Sequence, residues 1–534
     1  MTVAAPRRAP WITVHEPMAD GAHWIVERPD ASPLRVSADI GALLSTLDGR
    51  DAAAVARRLG VPWTAELVTH AVERLDGLGL IDGPNAAAPK PERRFVVVSP
   101  TTWQLRVVKA DRLLAPIRPL LVRLSGNAVL FTALALLAGG LIALACQGSA
   151  LGQALGSPLP LSTFALIWAG LAATTVIHEF GHGATLTHFH GRPGWFGVML
   201  FYLTPACFCE VTDGWRLAKP SQRVSVAMAG VVTQAAVAGC AAMVALAVPG
   251  GDGKSTLLGF SVVCYLSASV NLIPFVKLDG YLALMAYVDI PHLRDRSTAE
   301  ARAWLLWRLF GVQHVRSLPA WTVPFGLACI GFPVLVLGIA AGRWSHVLLG
   351  MGLIGGVLVL VLFGYLGYLL VHGAWSLLRN AHRAGVGTAR LVLTAFVALS
   401  ACGALLTFLK VDNDIRAGYT HDSSGVHLVV PPGTEVTAGS HVELERGGLM
   451  FSTSLGSARI GTGRAERTTV PFSALTPFRT GVTTEGSTLP LIDVTGRLDP
   501  TGAARVQGAP MPAGTWLAHN YLLPVWHQIF GQED

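Results

Sequence analysis

Residues 161–186 read LSTFALIWAGLAATTVIHEFGHGATL, an apolar run interrupted near its end by two histidines and a glutamate. A membrane-spanning helix needs about 20 predominantly apolar residues. The polar interruption is costly there, because an acid at the bilayer centre costs roughly 2.5–3.5 kcal/mol on insertion scales. Ionisable residues inside a span are therefore read as functional. Composition agrees with a membrane chain: the 534 residues are 51% hydrophobic and only 14% charged, against about 25% charged in soluble domains. Apolar runs near 127–147, 161–186, 224–248, 257–288, 320–341, 345–372 and 391–410 predict a polytopic α-helical membrane protein with about seven transmembrane helices.

Basic residues give the expected orientation. Arg93, Arg94, Arg106, Lys109, Arg112, Arg118 and Arg123 precede the first run, whereas 148–160 has no basic residue and 249–256 has only Lys254. The loops 187–223 and 290–318 are basic again. The positive-inside rule then places the N-terminus in the cytoplasm and the C-terminus outside, across a bacterial-type cell membrane. This asymmetry accounts for the net charge of +7, and no nucleic-acid-binding signature accompanies it. The opening MTVAAPRRAPWITVHEPM lacks the apolar core of a signal peptide. Cys146, Cys240, Cys264, Cys329 and Cys402 stand singly in apolar segments and are read as small core residues; Cys207 and Cys209 have no second pair at zinc-finger spacing.

Soluble zones flank the spans. Over 1–84, strands at 23–28 and 33–37, a Ser37-capped helix stopped by Asp48–Gly49, helices at 51–60 and after Thr64, and a returning strand in LGLID (78–82) predict a winged-helix-like α+β domain. Residues 85–126 are read as linker and juxtamembrane segment, opening with DGPNAAAPKPE (82–92). The last zone, 411–534, is rich in Gly, Thr, Ser and Val and reads as an extracytoplasmic all-β domain. Its stretch 425–442, GVHLVVPPGTEVTAGSHV, suits either a lipoyl-like barrel hairpin or a generic β-sandwich.

His178 and His182 are four apart, so on a helix they share one face, and Glu179 stands beside them. That spacing offers two imidazoles to one tetrahedral Zn²⁺ and a carboxylate to activate water. The competing reading is a hydrogen-bonded cluster that packs helices. Zinc needs a further ligand, and NLIPFVKLDGYLAL (271–284) interrupts another run with Asp279. Leu161 to His178 covers about 25 Å of helix, and Leu258 to Asp279 about 31 Å less any distortion at Pro274. Both runs point inward, so the histidines and Asp279 are expected at similar depth.

HEFGH followed by Asn271, Pro274, Asp279 and Gly280 resembles the intramembrane site-2 zinc metalloproteases. Residues 209–223 and 271–297 narrow the resemblance to the peptide zinc metalloprotease branch, which often accompanies modified-peptide biosynthesis. It covers roughly 160–300. The resemblance implies His178, His182 and Asp279 as zinc ligands, Glu179 as general base, and Asn271 as a donor to the substrate backbone or oxyanion. Tyr281 follows the branch, whereas Ala229–Gly230–Val231 departs from the family's Ala-Gly-Pro. The pattern of 1–84 resembles the PqqD-like domain, which implies capture of a leader peptide as an added strand. FGVMLFYLTPACFCEV (196–211) is expected to form a membrane-dipping hairpin or a plain re-entrant packing element. Asp213, His188 and His190 are further candidates for ordering a loop or touching metal, while His372 reads as an interface residue and 251–254 as an ordinary loop.

The implied function is leader removal from, or maturation of, a small ribosomally made, modified peptide precursor. Two alternatives stand beside it: a regulatory site-2 protease cutting a transmembrane signalling protein, and a non-proteolytic peptide export or immunity component.

Overall fold

The computed structural model describes residues 5–17, 24–28, 31–82, 93–99, 102–201, 204–349, 353–430, 436–463, 465–476 and 478–530. Among them, six helices are long and apolar enough to cross a membrane: Gly126–Cys146, Leu161–His188, Pro220–Ala247, Thr322–Gly342, Ile354–Arg383 and Thr388–Phe408. β-Sheets occupy the N- and C-terminal regions. The protein is thus of mixed type, a set of membrane-length helices flanked by sheet-containing ends. The chain forms two units: 1–141, 170–240 and 263–291 in one, and 142–169, 241–262 and 292–534 in the other.

The expected run 257–288 is two helices, Asp252–Asn271 and Asp279–Val288. Pro274 lacks a backbone N–H and disfavours helix at the residue before it, so the chain turns through 272–278. The turn folds back tightly: a Cβ on Gly280 would stand 2.1 Å from the Leu272 carbonyl oxygen, which only glycine tolerates. The run expected to end at 372 continues to Arg383 as Leu353–Arg383.

In the first unit, Thr13–His15, Trp24–Arg28 and Ala31–Val36 form an antiparallel sheet in that order. Ser37, Asp51 and Thr64 each accept a backbone N–H three residues on, starting helices Ala38–Thr46, Ala52–Leu59 and Ala65–Gly77. Leu43, Leu44, Val68, Leu80 and Ile81 are buried between sheet and helices. LGLID is no strand; Ile81 makes only an isolated bridge to Arg8, because the N-terminal residues run alongside it. The segment 85–126 is more than a linker. Phe95–Ser99 and Thr102–Lys109 are strands, β-branched and aromatic in composition. They continue into a four-stranded sheet with Trp195–Phe201 and Thr204–Cys209, in that order. The expected hairpin at 196–211 is therefore half of a larger sheet.

In the second unit, Gly425–Val430, Ile415–Asp422, Thr501–Val506, His441–Gly447, Ser452–Ile460 and Thr483–Ile492 pair in sequence. The last pairs back onto the first, closing a small barrel that Glu466–Pro471 extends. Tyr419, Leu428, Leu444 and Val442 fill it. Residues 425–442 are not a hairpin, since their two strands are separated by two others; Gly425–Val430 turns back on Ile415–Asp422 instead. The zone is not all-β either. Ala513–Leu517 and Leu523–Phe530 are helices joined through the π-helical Ala518–Leu522, which sets the buried Tyr521 ring 4.9 Å from Phe363. Phe478–Arg479 pairs in parallel with Leu159–Pro160, Arg479 donates to Asp252 at 2.6 Å, and Met450 N–H to the Leu155 carbonyl at 3.0 Å. The barrel thereby joins the two loops poorest in basic residues.

Candidate metal centre

Two glycines let the site-bearing helix cross its neighbour closely. A Cβ on Gly181 of Leu161–His188 would lie 2.7 Å from Thr233 Oγ1 and 3.1 Å from the Ala229 carbonyl oxygen of Pro220–Ala247. One residue on from Ala229, a Cβ on Gly230 would lie 2.4 Å from Nε2 of both His178 and His182. The imidazoles therefore lie across a backbone that must be bare, at the centre of Ala229–Gly230–Val231.

Both histidines are buried, each about 5% exposed. His182 Nδ1 donates to the Val226 carbonyl at 2.7 Å. His178 Nδ1 lies 3.2 Å from Gln234 Oε1, and Gln234 Nε2 donates to Ser267 Oγ at 3.2 Å, so the amide oxygen faces the ring. With both Nδ1 atoms engaged as donors, both Nε2 atoms turn to one point, 3.2 Å apart. Asp279 joins them there, Oδ2 at 2.8 Å from His178 Nε2 and Oδ1 at 3.4 Å from His182 Nε2. Asp279 Oδ2 is nonetheless without a hydrogen-bonding partner of suitable geometry. Zn–N bonds of about 2.05 Å in a tetrahedron separate ligand atoms by about 3.3 Å, so the donor set has the spacing and chemistry of a zinc site. Asp279 also opens Asp279–Val288, where the helix dipole favours its negative charge.

Glu179 is the third member of the close His178–Glu179–His182 group. Its Oε2 accepts the Cys209 backbone N–H at 2.8 Å, so the end of strand Thr204–Cys209 is fixed to the site. Asn271 ends Asp252–Asn271, adjacent in sequence to the Leu272 carbonyl that packs on Gly280. The remaining candidates have structural contacts. His188 Nδ1 donates to the Leu121 carbonyl at 2.8 Å, and His190 sits exposed in a left-handed turn at φ 64°. Asp213 accepts the Arg192 N–H at 2.7 Å and the Arg216 guanidinium at 3.1 Å, ordering its loop. His372 stacks on Tyr368 at 5.3 Å. Cys207 and Cys209 are free thiols.

Sequence reading missed Gln234, Gly230 and the Cys209 amide. Gln234, fully buried in an apolar helix, carried a signal, since an intramembrane amide needs a partner. Replacing it by Ala is expected to weaken metal binding roughly 10–100-fold, as loss of an outer-shell partner does; competition with a zinc chelator measures this. Compared with known protein families, with curated proteins and with solved structures, the chain matches none.

Proposed function

We propose that this protein is an intramembrane zinc metallopeptidase that cleaves a small ribosomally made, modified peptide precursor, with residues 1–84 binding the leader. One observation carries the reading: two buried imidazole Nε2 atoms and the Asp279 carboxylate converge within 3.4 Å of one another, beside Glu179. His178, His182 and Asp279 would hold the ion. Bound Zn²⁺ supplies Lewis acidity, polarising the scissile carbonyl and acidifying water. Glu179 takes a proton from the attacking water and returns it to the leaving amine, held in place by the Cys209 N–H. Asn271 is assigned the hydrogen bond to the developing oxyanion.

Two features support an extended, apolar substrate segment. Strand Thr204–Cys209 has Trp195–Phe201 as its strand partner on one side and, among the described residues, none on the other. An open edge accepts a peptide as an additional strand. Beside it lies an apolar cavity of about 400 Å³, lined by Trp103, Leu105, Ala172, Thr175, Val198 and Cys207. Thr175 is one helical turn before Glu179, so the cavity adjoins the site.

The proposed topology has seven crossings, counting Asp252–Asn271, with the N-terminus cytoplasmic. Attachment of the C-terminal barrel to 148–160 and 249–256, the loops poorest in basic residues, supports an extracytoplasmic C-terminus. The test uses full-length protein in lipid nanodiscs. Peptides captured from a displayed library by the Glu179→Gln protein are offered to the wild type. Zinc-dependent cleavage at a defined bond is expected; capture without any cleavage would overturn the assignment.

A further inference from the structure

We infer that Arg35, Trp215, Asp289 and Arg223 form a latch that holds the N-terminal domain beside the metal centre and sets the distance from captured peptide to scissile bond. The inference rests on the peptidase reading. Arg35 belongs to Ala31–Val36, one of the two edge strands of the N-terminal sheet. Both of its terminal nitrogens donate to Asp289 Oδ1 at 3.0 Å, and its guanidinium carbon stands 5.5 Å over the Trp215 ring. Arg223 donates to the same Asp289 oxygen at 2.7 Å and to the Leu217 carbonyl at 2.9 Å. One carboxylate thus joins a guanidinium of the N-terminal sheet to one of helix Pro220–Ala247. Arg stacked on an aromatic ring while paired with a carboxylate gives orientation as well as attraction.

Each anchor belongs to an element of the metal centre. Asp289 caps Asp279–Val288, the helix that opens with Asp279, and its left-handed φ of 53° ends that helix. Arg223 is one turn before Val226, whose carbonyl holds His182. Trp215 lies in the loop that Asp213 orders. The latch is therefore fixed to the scaffold of the site.

The geometry implies a ruler. Asp289 is ten residues beyond Asp279, about 15 Å along the helix. An extended peptide advances about 3.3 Å per residue. A strand seated on Ala31–Val36 therefore needs about five or more further residues to reach the metal centre.

The experiment uses full-length protein in nanodiscs with library-selected peptides whose domain-binding segment and cleavable segment are joined by spacers of graded length. Amide hydrogen exchange of 31–36 and 212–216 reports docking, and KM and kcat are measured for each peptide and for the cleavable segment alone. Arg35→Ala is expected to raise exchange in both segments and to raise KM for the two-part peptide about tenfold. Trp215→Ala, outside the peptide-binding residues 1–84, removes the stacking partner and should abolish the threshold near five spacer residues while leaving kcat and turnover of the cleavable segment unchanged. Arg35→Lys, which keeps the charge but loses the planar stack, should recover part of the protection. Unaltered exchange in Arg35→Ala, or an unaltered KM and threshold, overturns the latch. If the wild type cleaves nothing, the peptidase reading fails, and the exchange data alone decide the latch.

Discussion

The Glu179→Gln protein is expected to retain zinc while cleaving peptide about 10²–10⁴-fold more slowly than the wild type, the range a positioned general base contributes. The amide is nearly isosteric, and its oxygen can still accept the Cys209 N–H that the carboxylate accepts at 2.8 Å. It cannot take a proton from water. Because His178, His182 and Asp279 are untouched, metal content by mass spectrometry should match the wild type. Full activity in this variant would remove Glu179 from the mechanism; loss of zinc would make it a ligand instead.

A second large effect is expected from a residue that would touch no substrate. In Gly230→Ala, the new methyl would stand 2.4 Å from Nε2 of both histidines, well inside contact distance. Either the rings rotate away or the helices Leu161–His188 and Pro220–Ala247 separate, and in both cases the Nε2 atoms no longer converge. Metal affinity should fall by at least the roughly 10–100-fold that loss of an outer-shell partner causes. The helix itself gains from the exchange, since Ala is about 1 kcal/mol better than Gly within a helix. That gain offsets part of the cost of the displacement, so zinc retention should fall by far more than thermal stability without metal. Wild-type zinc affinity in Gly230→Ala would mean that the two imidazoles do not share an ion.

Much of this site is legible in the sequence because a bilayer makes polar residues expensive. His178, Glu179 and His182 stand out against LSTFALIWAG, and Asp279 against its own apolar run. The helical rise places Asp279 near the depth of the histidines less any distortion at Pro274, and the distortion is a full break at 272–278; the loop returns the carboxylate to the histidines all the same. Gly230 gave no such signal, because a glycine's bare face matters only once the opposing helix is in place.

The sheet was harder to read for a similar reason. Phe95–Ser99 and Thr102–Lys109 are fit for strands and pair with each other, but the strand that carries them into the larger sheet, Trp195–Phe201, lies some 90 residues from Thr102–Lys109, and the Pro- and Ala-rich 82–92 reads as a linker. In the last zone, alternation picks out Gly425–Val430 as a strand, but the next strand begins only at His441 and is not its neighbour, since alternation specifies a face and not a partner. The C-terminal helices were submerged in a β-rich composition.

Zinc K-edge X-ray absorption on the purified full-length protein tests the central claim most directly. One zinc per chain is predicted, with light-atom ligands at about 2.0–2.1 Å and the multiple-scattering pattern of two imidazoles. Loss of that pattern in His178→Ala, and of one oxygen ligand in Asp279→Ala, should follow. Absence of bound zinc, or sulfur at about 2.3 Å from Cys207 or Cys209, would contradict a centre built from His178, His182 and Asp279.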